Sequence, residues 1–407
     1  MLCHYRKEAR GYNKMKILQV ISSFPPAYSY GGALKVAFEL SRELVRNGHE
    51  VTVCTTDVYD SKSRLKNFKN PETIEGIEVY RFKNLSNWLS RKNIPCAPGM
   101  FFFLRDNMKK FDIIHLHEYR SFQAIITSHF ANKYRIPYIV QAHGSVLPFF
   151  EKQILKKMFD FVWGNKILKD ARKCIAVSHV EREQYRKMGI PDSQIDIIPN
   201  GINPNEFKNL PEKGKFRNKY HISPDEKIIL YLGRIHKRKG LDFLIDSFFQ
   251  LSRIRNDIRL ILAGPDDGYL ENVKKMIQEK NLSPVVIFSG FLPEKDKYEA
   301  LTDADVLVYP GIFEIFGLVP FEAILCGTPV IVTDDCGCGE IVKEAGCGYL
   351  VKYGDVGGLS VKISEVLSNS DDAKEKVKHG QQYIKEYLLY DSLSKIFLRL
   401  YDESRFN

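Results

Sequence analysis

No run of about 20 uncharged apolar residues occurs anywhere in the sequence, so no segment reads as a membrane-spanning helix. The opening "MLCHYRKEARGYNK" lacks the apolar core of a secretory leader. The expectation is a cytoplasmic protein in which residues 1–14 form an N-terminal extension ahead of Met15. Zinc fingers, RNA-recognition signatures and basic-aromatic repeats are missing, so nucleic acid is not the expected partner despite a formal net charge of +10. Missing too is a G-x-G-x-x-G fingerprint with its downstream acid, which disfavours a dinucleotide-dependent dehydrogenase. The positive charge leaves an anionic membrane or a phosphorylated substrate as partners.

Cysteine is scarce, with eight in 407 residues, and without an export signal these read as free thiols in a reducing compartment. Cys326, Cys336, Cys338 and Cys347 lie close together in the chain, but their spacing fits no standard zinc knuckle. Small buried thiols are expected there, and no metal.

What is present is an alternation. Hydrophobic residues make up 44% and charged residues 27%, enough for two cores in a chain of this length. Apolar, β-branched runs such as "KILQVIS", "EVTVCTT", "DIIHLH" and "PYIVQAH", then "KIILYLGR", "IRLILAG", "DVLVYP" and "PVIVTD", read as strands buried on both faces. Helical patterns lie between them, as in "ALKVAFELSRELVRNG", which Gly48 stops. The expected class is α/β, with two doubly wound parallel sheets. The linker-like "PNGINPNEFKNLPEKGK" divides them, giving domains at 15–206 and 207–387 and a final helix, 388–407, expected to pack back on the first. Ligands of such sheets bind beyond the carboxyl ends of the strands.

Four loops at those ends carry the chemistry. In "SSFPPAYSYGGALKV", Gly31 and Gly32 open a helix where backbone can approach an anion, although a plain tight turn fits equally well. In "YLGRIHKRKGLDFLI", Arg234 and Lys239 flank a helix start, and a planar fork beside a point charge suits a diphosphate. In "EIFGLVPFEAILCGTPVIV", Gly317 permits a sharp turn, Pro320 fits a first helical turn, and the N–H groups of Phe316, Gly317, Leu318 and Val319 can face a phosphate. Glu322, inside that helix, has the helix dipole as an ordinary explanation. Glu314, outside it, does not, and a carboxylate there suits vicinal hydroxyls. The fourth loop, "VQAHGSVLP", places His143 before Gly144. The nearby "HLHE" run (His115, His117, Glu118) has no third metal ligand and reads as a satisfied polar pair.

These stretches, with "AVSHVEREQYRKMGI", "ILAGPDDG", "SGFL" and "CGCGEIV", resemble the retaining GT-B glycosyltransferases of family four, in unbroken order from Met15. The resemblance implies two Rossmann-like domains facing a central cleft, and a UDP- or GDP-sugar donor. Glu322 would hold ribose hydroxyls, Glu314 the transferred sugar, and Arg234 and Lys239 the diphosphate, with help from N–H groups at Gly317–Val319 and the Gly31–Gly32 loop. His143 would sit by the donor sugar and Phe291 would mark the base. No cofactor is implied, and no metal. The acceptor would be a hydroxyl of a glycan or lipid-linked carrier. The family's usual proline after the first glutamate is Ile315 here, and the loop at Cys336 and Cys338 is unusually rich in cysteine. A GT-B epimerase or phosphorylase, and a non-catalytic sugar-binding protein, are the rivals.

Two greasy segments remain. "PFFEKQILKKMFDFVWGNKILKDARK" puts Ile154, Met158, Phe161 and Val162 on one helical stripe beside Lys152, Lys156 and Lys157, and "NWLSRKNIPCAPGMFFFLRDNMKK" carries Trp88 and Phe101–Phe103. They fit either the first domain's core or a surface resting on an anionic membrane at its inner face.

Overall fold

The computed structural model describes residues 13–28, 32–60, 63–86, 95–148, 152–312 and 314–406. Two compact units emerge. The first runs to Gly201 and resumes at Tyr387, and the second is Ile202–Glu386. The division falls inside the Pro- and Asn-rich linker, ahead of residues 206 and 207, because Glu206 accepts a hydrogen bond from the Tyr298 hydroxyl (2.7 Å) and Phe207 packs edge-on against that ring.

The first unit is built on β1 (Lys16–Val20), β2 (Glu50–Thr56), β3 (Glu72–Ile74), β4 (Ile77–Phe82), β5 (Ile113–His117), β6 (Tyr138–Gln141), β7 (Lys173–Ala176) and β8 (Ile195–Ile197). Their order is β3-β4-β2-β1-β5-β6-β7-β8, parallel except for β3 against β4. Alternate residues of each strand feed opposite layers. Ile17, Ile113 and Ile139 meet Leu40 and Leu44 of the helix Gly32–Arg46 and Phe397 and Tyr401 of the helix Tyr390–Phe406. Their neighbours Leu18, Ile114 and Val140 meet Met100, Leu104 and Phe130 on the other side. Both faces are covered, which is why these strands are apolar throughout.

The second unit has β9 (Lys227–Leu232), β10 (Ile258–Ala263), β11 (Val286–Gly290), β12 (Val306–Tyr309), β13 (Val330–Thr333) and β14 (Tyr349–Val351), ordered β11-β10-β9-β12-β13-β14 and all parallel. This is the order of a dinucleotide-binding sheet, and it reverses between β9 and β12. Ligand crevices open beyond the strand ends at such a reversal. Leu241, Leu244 and Phe248 of the helix Leu241–Ser252 cover one face of it.

Candidate functional site

The loops after β9 and β12 flank that reversal. After β9 the chain passes Gly233 and Arg234 to a short 3-10 turn, Lys237–Lys239. Gly240 then takes φ +66°, and a side chain there would collide with the Pro310 carbonyl. Arg238 accepts the Ile312 N–H at 3.0 Å. The two loops are therefore laced together through backbone, which only glycine at 240 permits.

Across this seam Lys239 Nζ pairs with Glu314 Oε2. Burial pushes the Glu314 carboxyl up, but the Lys239 charge and hydrogen bond, the Tyr309 hydroxyl and the charge of Arg234 together hold it below the ordinary value. Arg234 pairs with Asp267 (2.8 Å), yet its side chain stays 57% exposed. The Tyr231 hydroxyl, donating to the Arg234 carbonyl (2.8 Å), fixes its backbone. Lys239, Glu314 and Arg234 thus form one electrostatic group.

Gly317 turns at φ +73° against the Tyr309 ring and the Cys338 sulfur. The helix Val319–Leu325 follows, with Pro320 in its first turn. Among the described residues no hydrogen bond takes the N–H groups of Phe316, Gly317, Leu318 or Val319, whereas Phe321 and Glu322 both donate to the Leu318 carbonyl. Glu322 is buried and meets Lys297 Nζ at 3.1 Å, a partner that sequence spacing did not indicate. Phe291, just past β11, is 70% exposed.

His143 belongs to the first unit. It follows β6 at φ +50° and its Nε2 lies 2.8 Å from His117 Nδ1. His117 Nε2 lies 2.6 Å from Gln19 Oε1, and the Gln19 amide nitrogen reaches the Tyr401 hydroxyl at 3.5 Å. With the Gln19 oxygen accepting, His117 donates from Nε2 and accepts at Nδ1. His143 then donates from Nε2 and keeps a lone pair on Nδ1. Burial pushes His115 and His117 well below the usual imidazole range and His143 down to about 3, so all three are neutral. His115 stacks on His117 at 4.1 Å and its Nδ1 meets the Tyr401 hydroxyl at 2.8 Å. Its buried Nε2 has no hydrogen-bond partner among the described residues, so only His117 is the fully satisfied member expected from the i, i+2 spacing. The turn beneath is held by Glu181, whose two oxygens accept the N–H groups of Gly144 (2.6 Å) and Val177 (2.8 Å). The Ser178-x-x-Glu181 spacing signals the helix start at His179 but not the contact of Glu181 with Gly144. Gly32 opens its helix, with nothing among the described residues within 4 Å of where its side chain would begin, and Gly31 lies outside the described residues.

Cys326, Cys336, Cys338 and Cys347 are all buried, and among the described residues no group of three or more His, Cys, Asp or Glu is arranged to hold a metal. The greasy stripe is on the surface rather than in the core. Ile154 is 75% and Phe161 87% exposed, with Met158 and Val162 also more than half exposed. It is anchored to the His143 loop by Arg120, which grips Asp160 through two contacts of 2.7 and 2.6 Å and also donates to the Val146 carbonyl (2.7 Å). Phe101 and Phe102 are exposed while Phe103 packs inward, and Trp88 lies outside the described residues. No described helix is long and apolar enough to cross a membrane.

Residues 30–206 match the model of Glycosyltransferase Family 4, and residues 212–383 that of Glycosyl transferases group 1. The chain belongs to glycosyltransferase family four. This glycosyltransferase is 28% identical to an uncharacterized glycosyltransferase of Methanocaldococcus jannaschii, over 95% of its own length and 98% of the relative's. It is 26% identical to a GDP-mannose-dependent α-(1-6)-phosphatidylinositol monomannoside mannosyltransferase of Mycolicibacterium smegmatis, over 50% of its length and 55% of that enzyme's. The crystal structure of Anabaena HepE in complex with UDP superposes with a TM-score of 0.76 at 19% identity, covering 96% of this chain and all of that one. The fold of the glycosyltransferase is accordingly GT-B.

Proposed function

We propose that this glycosyltransferase moves a sugar, with retention of its anomeric configuration, from a UDP- or GDP-sugar to a hydroxyl of a glycan or lipid-linked acceptor, without a metal ion. The observation that carries the proposal is the contact of Lys239 with Glu314 at the strand reversal, with Arg234 in the same electrostatic group. Breaking a sugar–phosphate bond builds negative charge on the leaving diphosphate. Fixed positive charge and unused N–H groups stabilise that charge without reorganising. Arg234 and Lys239 supply the cations, and the turn Phe316–Val319 supplies the dipoles. On this reading Glu314, paired with Lys239, is the acceptor for sugar hydroxyls, and Glu322, beside Lys297, serves the ribose. The neutral His143 keeps one accepting nitrogen for a hydroxyl. On this reading the departing phosphate takes the acceptor's proton on the same face. No separate protein nucleophile is invoked.

Both donor bases have support among the relatives, since HepE holds UDP and the mycobacterial enzyme uses GDP-mannose. An epimerase needs no acceptor and a binding protein no turnover, so one assay separates them. Purified protein incubated with UDP- and GDP-sugars should release nucleoside diphosphate only when an acceptor hydroxyl is supplied, and NMR of the product should show the donor's anomeric configuration. Inverted product, or turnover without acceptor, would overturn the proposal.

For the acceptor's setting, the exposed stripe Ile154–Val162 beside Lys152, Lys156 and Lys157 supports a peripheral contact with an anionic membrane at its cytoplasmic face.

A further inference from the structure

Directly behind the Glu314–Gly317 turn lies a pair of thiols for which sugar transfer has no use. Cys336 caps the helix Gly337–Ala345, its sulfur accepting the Gly339 N–H at 3.3 Å and donating to the Thr333 carbonyl at 3.0 Å. Cys338 sits two residues further on, and the two sulfurs are 3.1 Å apart. Residues two apart in a chain are separated by at most about 7 Å between Cα atoms, and a disulfide needs little more than a rotation of each side chain to close from that contact. The same segment touches the proposed donor site at three points. Gly337 donates its N–H to the Glu314 carbonyl at 2.7 Å. The Cys338 sulfur lies 3.4 Å from where a side chain on Gly317 would begin. Thr333 donates its hydroxyl to the Gly311 carbonyl at 2.7 Å.

We propose that Cys336 and Cys338 form a reversible disulfide whose closure shuts the nucleoside diphosphate site by displacing the Glu314–Gly317 turn. The second half rests on the donor site described above, and the first does not. The oxidant is a small disulfide. The Cys336 thiolate attacks one of its sulfurs, forming a mixed disulfide and expelling one thiolate. Cys338 then gives up its proton, attacks the Cys336 sulfur and expels the second, so two protein thiols lose two electrons and the small disulfide becomes two thiols. Cys336 and Cys338 are both fully buried, so the oxidant reaches them only when the turn at exposed Asp334 and Asp335 opens, and Cys336 suits the attacking role there. The hydrogen bond from Cys338 lowers its thiol, aided by the Thr333 side chain and the Gly339 N–H, against the upward push of burial and of Glu314. Cys338 is held high by the same bond and by burial, and so remains the proton donor until the second step. On closing, the Cys336 sulfur loses its cap contact and the Cys338 sulfur leaves Gly317. Exposed Asp334 and Asp335 precede the pair, so a neutral small disulfide should oxidise it faster than an anionic one.

The test treats the full chain with 2-hydroxyethyl disulfide, then blocks free thiols and maps peptides by mass spectrometry. The expected product lacks two hydrogens, joins Cys336 to Cys338, and reverts with dithiothreitol. Binding of UDP and GDP, measured by calorimetry, should weaken at least about tenfold in the oxidised form and recover on reduction. Cys336→Ser keeps a capping oxygen and should bind nucleotide as the wild type does, but without oxidant sensitivity. Cys338→Ala should be equally insensitive, and Cys326→Ser should stay sensitive. If Cys96 reacts and the pair does not, the disulfide is overturned. If the bond forms and nucleotide binding is unchanged, the gating is overturned. If the reduced protein binds neither nucleotide, the donor site fails and the gating with it, while the peptide map still decides the disulfide.

Discussion

Glu181 accepts the Gly144 N–H at 2.6 Å from a position with no solvent exposure, so a buried carboxyl props the turn that carries His143. Burial pushes that carboxyl up to about 7, against the downward pull of the N–H groups of Val177 and Gly144. An acid raised in the folded state keeps its proton there after the unfolded chain has lost it. Stability therefore falls as pH rises from about 4.5 to about 7, by on the order of 3 kcal/mol, and the cost is fully present above that window. His115, His117 and His143, lowered in the folded state, act oppositely and cost stability only as pH falls below about 6.5. The difference between wild type and Glu181→Gln in urea unfolding isolates the carboxyl. Wild type should lose stability relative to the variant between pH 5 and pH 8, and a constant difference would mean that Glu181 does not titrate there.

Arg234→Ala and Lys239→Ala should each lower kcat for transfer by at least about tenfold, since losing one donor at a developing charge typically costs roughly 2.7–4 kcal/mol. Their effects on stability should differ. Arg234 is more than half exposed and its removal should stay within about 0.5 kcal/mol. Lys239 holds the half-buried Glu314, so its removal leaves a carboxylate without its cation and should lower the melting temperature as well. Glu322→Ala should reduce transfer and weaken nucleotide binding together. Near wild-type turnover in the Arg234 and Glu322 variants would remove the proposed site.

Chelation should leave transfer intact, because Arg234, Lys239 and the Phe316–Val319 turn carry the charge that a divalent ion would otherwise supply. Complete loss with EDTA, restored by Mg²⁺ or Mn²⁺, would reverse this.

Gly240→Ala should destabilise by well over 1 kcal/mol, since it combines a positive φ with a collision at the Pro310 carbonyl. Gly189→Ala, at φ +78° with nothing nearby, should cost only about 1 kcal/mol. Equal melting temperatures for the two variants would argue against the backbone seam.

Ile154→Ser with Phe161→Ser should abolish sedimentation with anionic vesicles, and Lys152, Lys156 and Lys157 changed to Glu should do so at low salt. Transfer to a soluble acceptor should be untouched. Absence of vesicle binding by the wild type would point to a soluble acceptor.

The strands were legible because burial on both faces makes them apolar without interruption, as in "KIILYL" for β9. β3 and β14 were not, since three residues such as Glu72–Ile74 leave too short a pattern and exist only through pairing with a neighbour. Arg234, Lys239 and Glu314 could be named from their positions at strand ends. That Lys239 grips Glu314 could not, because the contact depends on how β9 and β12 lie side by side. Lys297 and Glu181 escaped for the same reason, each acting on a residue far along the chain. The stripe at Ile154 fitted core and surface equally in sequence, and only the exposure of Phe161 decides between them.

The helix Tyr390–Phe406 supplies Leu393, Phe397 and Tyr401 to the first unit's core, and Tyr401 bonds His115. Domains generally condense as they leave the ribosome, the earlier ones first. Here the first unit must wait, its β5 histidines and one face of its sheet uncovered, until all of Ile202–Glu386 has been synthesised. The second unit, contiguous in the chain, can finish first. A nascent chain halted at Glu386 should accordingly expose a native second unit beside a protease-sensitive, chaperone-binding first one, and release of the last segment should close it.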